Sequence, residues 1–301
     1  MSTRYTGSDR VPGTALDLFQ VSHTVEGNGN RLPILAQLNL RIESGELVAL
    51  LGPRGCGKST LLRLIAGLER PSCGTILLDG AATAAAAPHM VLSRAPGLSA
   101  SSTVHAQVTA ARNPRRGAED QATPDADHAL RLLGLDRFAG ACPRELTAGT
   151  AQRVSLATAL VNDPHLLLLD DPFARLDPIT RATIQGDLVS LRQRSGFTAL
   201  LATSDQDEAL AVATRVIVLG ARPARIELDL ALDDGFPRRP ADPHLASARR
   251  ALLQALDDDG AGQPLRSLVL HRVEHFVRPG HLALPIWPGD EPAARRARAF
   301  A

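Results

Sequence analysis

The most readable chemistry in the chain lies in one glycine-rich stretch that ends in a lysine and two hydroxyl residues. It matches the pattern G-x-x-x-x-G-K-[ST] at every fixed position and consists of Gly52, Pro53, Arg54, Gly55, Cys56, Gly57, Lys58, Ser59 and Thr60. Glycines let the backbone curl so that its N–H groups face a phosphate, and a following helix N-terminus adds a positive dipole end. In this pattern the lysine reaches the β- and γ-phosphates and the next hydroxyl binds Mg²⁺. We therefore predict a site for a nucleotide with its Mg²⁺.

Both flanks of this phosphate loop have the secondary structure that the pattern requires. The apolar run 47–51 predicts a buried strand and the run 61–68 predicts a helix, so the loop connects a strand to a helix N-terminus. A glycine-rich turn with a chance Lys-Ser pair is the structural alternative, and the two flanks argue against it. Cys56 lies inside the loop, where we expect it to be partly exposed beside bound phosphates.

A second chemical element consists of four leucines, 166–169, followed by two aspartates. The leucines predict a buried parallel strand, whose carboxyl end points at the ligand crevice of an α/β sheet. Asp170 at that end would hold Mg²⁺ through water and so complement Ser59. The structural alternative for Asp170 is a helix N-cap, because Pro172 follows it closely. The phosphate loop elsewhere in the chain favours the metal-binding interpretation.

Composition excludes several classes of protein. A net charge of +1 gives no sign of a bulk nucleic-acid binder, and no apolar run approaches the ~18 residues of a membrane span. The polar N-terminus lacks the apolar core of a signal peptide, so membrane association would need a partner. The three cysteines, Cys56, Cys73 and Cys142, are widely spaced and odd in number. They favour reduced thiols with no disulfide partner over a disulfide framework.

Strand-like and helical segments alternate around the phosphate loop, and this alternation predicts an α/β sheet. Besides 47–51 and 166–169, strands are predicted at 15–21, 34–42, 74–80, 91–92, 198–203 and 216–219. From about 96 to 160, short helical pieces among prolines, glycines and charges predict an inserted helical subdomain. The predicted organisation is a disordered lead-in at 1–13, a nucleotide-binding domain at 14–235, and a C-terminal extension at 236–301 with an amphipathic helix near 245–256.

Three further stretches carry a family resemblance. The run 145–153 (ELTAGTAQR) is similar to L-S-G-G-x-x-Q-R, 171–178 (DPFARLDP) to D-E-P-F-x-x-L-D, and 203–209 (TSDQDEA) to T-H-D-x-x-E-A. Together with the phosphate loop, these stretches resemble the ATPase subunits of ABC transporters over about residues 15–230. The run 52–68 looks most like the importers of nitrate, sulfonates and taurine.

This resemblance implies a P-loop NTPase fold of the ABC ATPase type, with a mixed sheet core, an antiparallel β edge and the inserted helical subdomain. It also implies MgATP sandwiched head to tail in a homodimer, or in a heterodimer with another ATPase subunit. The phosphate loop of one subunit would face the run 145–153 of the other, which corresponds to the family's signature. There Thr147 and Gly149 would contact the nucleotide. The dimer would sit on an integral membrane permease at the cytoplasmic face of the cell membrane.

Several positions depart from the family pattern. Val25 stands where the family has an aromatic residue that stacks on adenine, unless His23 substitutes for it. Ser93 replaces a glutamine that contacts Mg²⁺ and the attacking water. Asp171 replaces the catalytic glutamate and is one methylene shorter, and Ser204 replaces the switch histidine.

Two more departures concern contacts with other subunits. Arg54 replaces a small polar residue in the loop, and would either face Asp177 of the facing subunit or be solvated at the loop rim. The segment 98–104 is rich in serine where the family has bulky apolar residues that receive a permease helix.

These residues predict an importer ATPase in which Asp171 orients water, with Lys58, Mg²⁺ and the Thr147 helix end stabilising charge. The alternative is a nucleotide-binding pseudo-ATPase with a regulatory or heterodimer-partner role, favoured by the joint changes at Ser93, Asp171 and Ser204. A soluble ABC-type ATPase without a permease is a third interpretation, favoured by the serine-rich segment 98–104.

Overall fold

The computed structural model describes residues 13–27, 30–82, 89–92, 98–111, 126–161, 164–174, 176–232, 235–236, 238, 242–257 and 266–269. All of them fall within one compact unit, residues 1–271. The predicted lead-in, apart from Gly13, and the candidate Mg²⁺ ligand Ser93 lie outside the described residues. No helix in the described ranges is long and apolar enough to cross a lipid bilayer.

Eleven strands and seven α-helices make up the described fold. The strands are β1 (Leu16–Gly27), β2 (Asn30–Ile42), β3 (Leu47–Leu51), β4 (Cys73–Leu78), β5 (Ala81–Ala82), β6 (His89–Leu92), β7 (Leu166–Asp170), β8 (Thr198–Thr203), β9 (Arg215–Leu219), β10 (Ile226–Ala231) and β11 (Arg266–Val269). The helices are α1 (Lys58–Ile65), α2 (Val104–Ala110), α3 (Ala126–Leu132), α4 (Ala148–Leu160), α5 (Pro178–Ser195), α6 (Gln206–Val212) and α7 (Ala246–Asp257). Short 3-10 helices span Asp136–Phe138, Pro143–Glu145 and Pro243–Leu245.

The larger sheet has the order β11-β10-β9-β3-β8-β7-β6. Its five strands from β9 to β6 are parallel, whereas β10 runs antiparallel to β9. Every residue of β3 and β8 is buried, which is why these strands read as continuous apolar runs rather than as alternating ones. A second, antiparallel sheet has the order β2-β1-β4-β5. This mixed core with an antiparallel edge confirms the predicted fold class.

Alternate side chains of β3 pack into two separate hydrophobic cores, one on each face of the sheet. Leu47, Ala49 and Leu51 belong to a cluster formed with the helices on one face of the sheet. Val48 and Leu50 belong to a cluster formed with α1 and the antiparallel sheet on the other face. Burial of each large apolar side chain contributes about 1.5–3 kcal/mol, so β3, which carries the phosphate loop, is held from both sides.

Helix α1 begins at Lys58 and ends at Ile65, earlier than the run 61–68 suggests. It ends there because Gly67 adopts a left-handed φ of 68°. The N–H of Leu68 then turns back to donate to Arg63 O at 3.0 Å, which closes the helix C-terminus. Between β6 and β7 the described chain is helical, and α2, α3 and α4 pack into the first core cluster. The bounds 96–160 of a subdomain stay a prediction.

Candidate nucleotide site

Three loops meet at the carboxyl ends of neighbouring parallel strands. The phosphate loop follows β3, Asp170 ends β7, and Ser204 follows β8, which lies between those two strands. The carboxyl ends of parallel strands form one edge of a sheet, where ligands bind in α/β folds. These loops enclose a pocket of about 190 Å³, lined by Arg54, Gly55, Gly57, Lys58, Ser59, Thr60, Asp170, Asp171, Ser204 and Arg222.

The phosphate loop needs its glycines for conformation and for close packing. Gly55 and Gly57 adopt left-handed φ values of 80° and 123°, which residues with a Cβ rarely tolerate. A Cβ on Gly57 would also lie 2.8 Å from Leu35 Cδ2, and one on Gly52 would lie 2.5 Å from Leu219 O. The loop is therefore held against β2 and β9 at positions that accept no side chain.

Lys58 anchors its ammonium on the loop itself. Its Nζ donates to Gly52 O at 2.7 Å and to Pro53 O at 2.9 Å. The first hydrogen bond of α1 runs from Leu61 N–H to Gly57 O at 2.8 Å. The N–H groups of the three preceding helical residues are therefore available to an anion at the helix N-terminus, and all three residues line the pocket.

Ser59 and Asp170 form a pair suited to Mg²⁺. Ser59 Oγ donates to Asp170 Oδ1 at 2.9 Å, so one hydroxyl and one carboxylate oxygen meet beside Lys58. No group of three or more His, Cys, Asp or Glu side chains able to hold a metal occurs in the described part of the chain. Mg²⁺ binds through one or two protein oxygens plus phosphate and water, and these two residues fit that set. The alternative of an Asp170 N-cap is not observed, because Asp177 caps α5.

Asp171 and Ser204 face the same pocket from β7 and β8. Asp171 is 8% exposed and adopts a left-handed φ of 52°. Ser204 is exposed and is the first residue of the loop that connects β8 to α6. The buried carboxylate of Asp171 can hold a water molecule, and the exposed hydroxyl of Ser204 can contact a phosphate oxygen.

The run 203–209 also contains a buried glutamate, Glu208, which had no assigned role in the sequence analysis. Glu208 is 3% exposed and accepts a hydrogen bond from Thr203 Oγ1 at 2.6 Å. Burial raises the pKa of Glu208, and the negative charges of Asp205 and Asp171 add to that rise. The hydrogen bond from Thr203 and the charge of Arg181 oppose it.

Other predicted contact residues do not line this pocket. Val25 is 44% exposed on β1. His23, its alternative, is mostly buried, and its Nε2 lies 3.6 Å from Glu69 Oε2. Thr147 caps α4, where its Oγ1 accepts from Thr150 N–H at 3.2 Å. Gly149, in the first turn of α4, packs against α5.

The expectation for Cys56 is wrong. Its side chain is 2% exposed and belongs to the second core cluster, because it turns inward beneath the loop. Its Sγ lies 3.8 Å from Lys58 Nζ. The two other thiols are free as well, Cys73 exposed and Cys142 half-buried.

Arg54 is exposed at the pocket rim. Asp177, the residue that it would meet across a dimer, is also exposed. The Asp177 carboxylate accepts from Ile179 N–H at 3.1 Å and Thr180 N–H at 3.0 Å. Hydrogen bonds from Thr180, first from its side chain and then from its backbone, lower the pKa of Asp177. The Asp177 carboxylate thus caps α5 within its own subunit through one oxygen, and both alternatives for Arg54 stay predictions.

Arg222 is a pocket residue that no sequence motif indicates. It lies between β9 and β10, and its Nε donates to the carbonyl oxygen of Gly55. It adds a third cation, after Arg54 and Lys58, to the lining of the pocket.

Known proteins match this arrangement over most of the chain. The ABC transporter family model matches residues 35–174, from β2 through the phosphate loop to the turn after Asp171. An uncharacterized ABC transporter ATP-binding protein of Methanocaldococcus jannaschii is 36% identical over 245 residues, which are 81% of this chain and 92% of the relative. The chain belongs to the ATP-binding subunits of ABC transporters.

More specific relatives are of the importer type. The aliphatic sulfonates import ATP-binding protein SsuB of Escherichia coli (strain UTI89 / UPEC) is 40% identical over 236 residues, or 77% of this chain and 89% of that protein. Among solved structures, a dimeric post-hydrolysis state of an ATP-binding cassette bound to ADP and Pi superposes with a TM-score of 0.63. It is 28% identical, and the match covers 73% of this chain and 100% of the cassette. Such relatives confirm the predicted resemblance to importer ATP-binding subunits.

Proposed function

We propose that the chain binds MgATP at this pocket and hydrolyses it to drive solute import through a membrane permease. The observation that carries the proposal is the 2.9 Å contact of Ser59 with Asp170 beside Lys58, at the N-terminus of α1. A lysine, a hydroxyl and a carboxylate in this arrangement are the protein groups that phosphate-loop enzymes use to hold the β- and γ-phosphates with Mg²⁺.

Five side chains of the pocket have a role in this proposal. Lys58 and the first N–H groups of α1 bind the phosphate oxygens and stabilise the charge that develops on them. Ser59 and Asp170 would hold Mg²⁺, which would supply positive charge against the negative charge of the phosphates. Asp171 accepts a hydrogen bond from the attacking water, and Ser204 contacts the γ-phosphate. A base must lie within about 2.6–3.2 Å of the group whose proton it accepts, so the short side chain of Asp171 predicts slow turnover.

The catalytic unit would be a dimer. In the proposed head-to-tail arrangement, Thr147 and Gly149 at the N-terminus of α4 face the nucleotide of the other subunit. Support comes from the solved dimers of related cassettes and from the absence of both residues from the lining of this subunit's own pocket. The names of the sulfonate-import relatives support an organosulfonate as the solute. The ATPase dimer would bind the membrane permease at the cytoplasmic face of the membrane.

A nucleotide-binding pseudo-ATPase is the second candidate. The observation in its favour is the pair of Asp171 and Ser204 facing one pocket, where the family has a longer carboxylate and a histidine. A chain of this kind would bind MgATP and act as a regulator or as one half of a heterodimer.

Measurement of MgATP affinity beside ATP turnover separates the two candidates. We expect Lys58→Ala to abolish MgATP binding, since the variant loses the ammonium that contacts the phosphates. An unchanged affinity in Lys58→Ala would contradict both candidates. Binding with slow but measurable turnover supports the importer ATPase, and binding with no turnover alone or with its permease supports the pseudo-ATPase.

The transport role needs a separate test in cells. Uptake of a radiolabelled aliphatic sulfonate should fall when the gene for this chain is deleted, and the wild-type chain should restore it. Lys58→Ala is the matched control and should fail to restore uptake. Uptake that is independent of the chain would contradict the proposed solute.

A further inference from the structure

The turn between β9 and β10, residues 220–225, is tied to both of its neighbouring elements by backbone hydrogen bonds. Gly220 N–H donates to Arg225 O at 3.0 Å, which closes the turn. Ala224 N–H donates to Ile34 O at 2.8 Å, and Ala224 O accepts from Ala36 N–H at 3.0 Å. The turn is therefore fixed to β2 as well as to its own hairpin.

The end of β9 and the turn that follows it each contact the phosphate loop. Leu219 O stands 2.5 Å from where a Cβ on Gly52 would be, so the end of β9 packs on the first glycine of the loop. Farther along, Arg222 Nε donates to Gly55 O, and Arg222 Nη2 lies 3.6 Å from where a Cβ on Gly55 would be. The guanidinium thus reaches the pocket that Lys58 lines.

The second contact controls the direction of a peptide group in the loop. Cys56 N–H donates to Pro53 O at 3.3 Å, so residues 53–56 form a turn in which Gly55 stands third, with φ of 80°. Because a peptide group is planar, a donor that holds the Gly55 carbonyl also fixes the Cys56 N–H, and so supports the hydrogen bond to Pro53 O that closes this turn. A loop whose backbone turn is already held in place loses less freedom when it binds phosphate.

We propose that Arg222 is a positioning residue of the nucleotide site, which acts by holding the Gly55 carbonyl and so pre-organises the phosphate loop. This inference rests on the proposed binding of MgATP at that loop. The planar guanidinium suits the role because it presents its N–H groups in fixed directions, from a turn whose backbone is itself fixed.

Two substitutions separate the hydrogen bond from the charge. The amide nitrogen of glutamine is as many bonds from Cα as Arg Nε is, so Arg222→Gln keeps a planar donor for Gly55 and loses the charge. Arg222→Lys keeps the charge but places a methylene where Nε was. Arg222→Ala removes both. Arg225→Gln is the matched control, because Arg225 is exposed in the same turn and has no side-chain hydrogen bond within the described ranges.

The first readout is MgATP affinity. A hydrogen bond from a charged donor contributes about 1.5 kcal/mol or more, so Arg222→Ala should weaken binding by about tenfold. Arg222→Gln should stay within about threefold of the wild type, and Arg222→Lys should resemble the alanine variant. If Arg222→Lys binds like the wild type while Arg222→Gln binds like Arg222→Ala, charge alone acts and the positioning role is overturned. Equal affinity in all variants would overturn it too.

The second readout does not depend on nucleotide. In the nucleotide-free protein, amide hydrogen exchange at residues 54–57 should be faster in Arg222→Ala and Arg222→Lys than in the wild type, and near the wild-type rate in Arg222→Gln and Arg225→Gln. Unchanged exchange in Arg222→Ala would overturn the inference even if the protein binds MgATP. Conversely, a wild type that binds no MgATP but shows this exchange pattern would contradict the proposed function and leave the role of Arg222 in the loop supported.

Discussion

The backbone N–H of Asp171 donates to the carbonyl oxygen of Ala202 at 2.8 Å, across the junction of β7 and β8. This bond fixes a residue whose φ of 52° lies in the left-handed region. Aspartate and asparagine are enriched there among residues with a side chain. The junction therefore suits aspartate locally, while the proposed chemistry would favour a longer carboxylate.

Asp171→Glu tests whether the backbone conformation and the proposed chemistry favour different carboxylates at this position. If Asp171 is a base that lies ~1 Å too far from the attacking water, kcat is lower by about 100-fold, which corresponds to about 2.7 kcal/mol of activation free energy. We expect Asp171→Glu to raise kcat towards that limit with nearly unchanged MgATP affinity, because the base acts in the transition state. The melting temperature should fall slightly, since glutamate fits the left-handed φ less well. Steady-state turnover, nucleotide titration and thermal unfolding measure the three effects.

Ser204→His should raise turnover further in combination with Asp171→Glu. The two gains should not be additive, because both groups address the same water and γ-phosphate. Asp171→Asn is the matched control for charge and should be less active than the wild type. Fast turnover of the wild type, slowed by Asp171→Glu, would show that the pocket is built around the shorter carboxylate, and the pseudo-ATPase candidate would be wrong.

The three thiols should react in the order of their exposure. We expect an alkylating reagent to label Cys73 first, Cys142 next and Cys56 last, because Cys56 is 2% exposed under the loop. Saturating MgATP should slow labelling of Cys56 further, since nucleotide bound on the loop would cover the route to this thiol. Peptide mapping after timed labelling gives the three rates. Labelling of Cys56 as fast as that of Cys73 would contradict the burial of this side chain.

The sequence predicted the elements that carry the site because their chemistry is local. The run 47–51 and the leucines 166–169 are fully apolar, and both are strands of the parallel sheet. Their order in the sheet, with β8 between them, is what brings Ser59 to Asp170. The sequence motifs predicted that Ser59 and Asp170 share one Mg²⁺ site, but they did not predict the order of the strands.

Features that depend on distant contacts were missed. Residues 226–231 alternate weakly, and they form β10 because β9 supplies an antiparallel partner. Arg222 belongs to no motif, and its contact with Gly55 spans 167 residues. The exposure of Cys56 was misjudged for the same reason, because its environment is made by the second core cluster rather than by the loop.

Glu208 should make stability depend on pH. Its pKa is raised above the ordinary 4.5, so the folded chain binds more protons at this group than the unfolded chain does. The free energy of unfolding therefore falls as pH rises from about 4.5 through the raised pKa. Glu208→Gln keeps an oxygen that accepts from Thr203 and removes the titration.

Melting temperatures of the wild type and Glu208→Gln across pH measure this effect. As pH rises above about 4.5, the ordinary pKa of the group, the melting temperature of the wild type should fall relative to that of Glu208→Gln. Glu26→Gln, at an exposed position on β1, controls for the loss of one negative charge. A difference that stays constant across this range would mean that Glu208 keeps its ordinary pKa in the folded protein.

Two glycine substitutions should have opposite effects on stability. A Cβ on Gly149 would overlap the Cγ2 methyl of Thr180, where α4 packs against α5. Thr180 has little freedom to move, because it is β-branched and its N–H donates to the Asp177 cap at 3.0 Å. Gly149→Ala should therefore destabilise the fold by about 1–3 kcal/mol through overpacking, despite the better helix propensity of alanine.

Gly186→Ala is the matched control for Gly149→Ala. Gly186 lies inside α5, and a Cβ there would have no atom within 4 Å. Alanine is favoured over glycine in a helix interior by about 1 kcal/mol, so this variant should be stabilised by about that amount. Denaturant unfolding gives both values on one scale. Stabilisation by Gly149→Ala as large as that by Gly186→Ala would mean that α4 and α5 are not in close contact at Thr180.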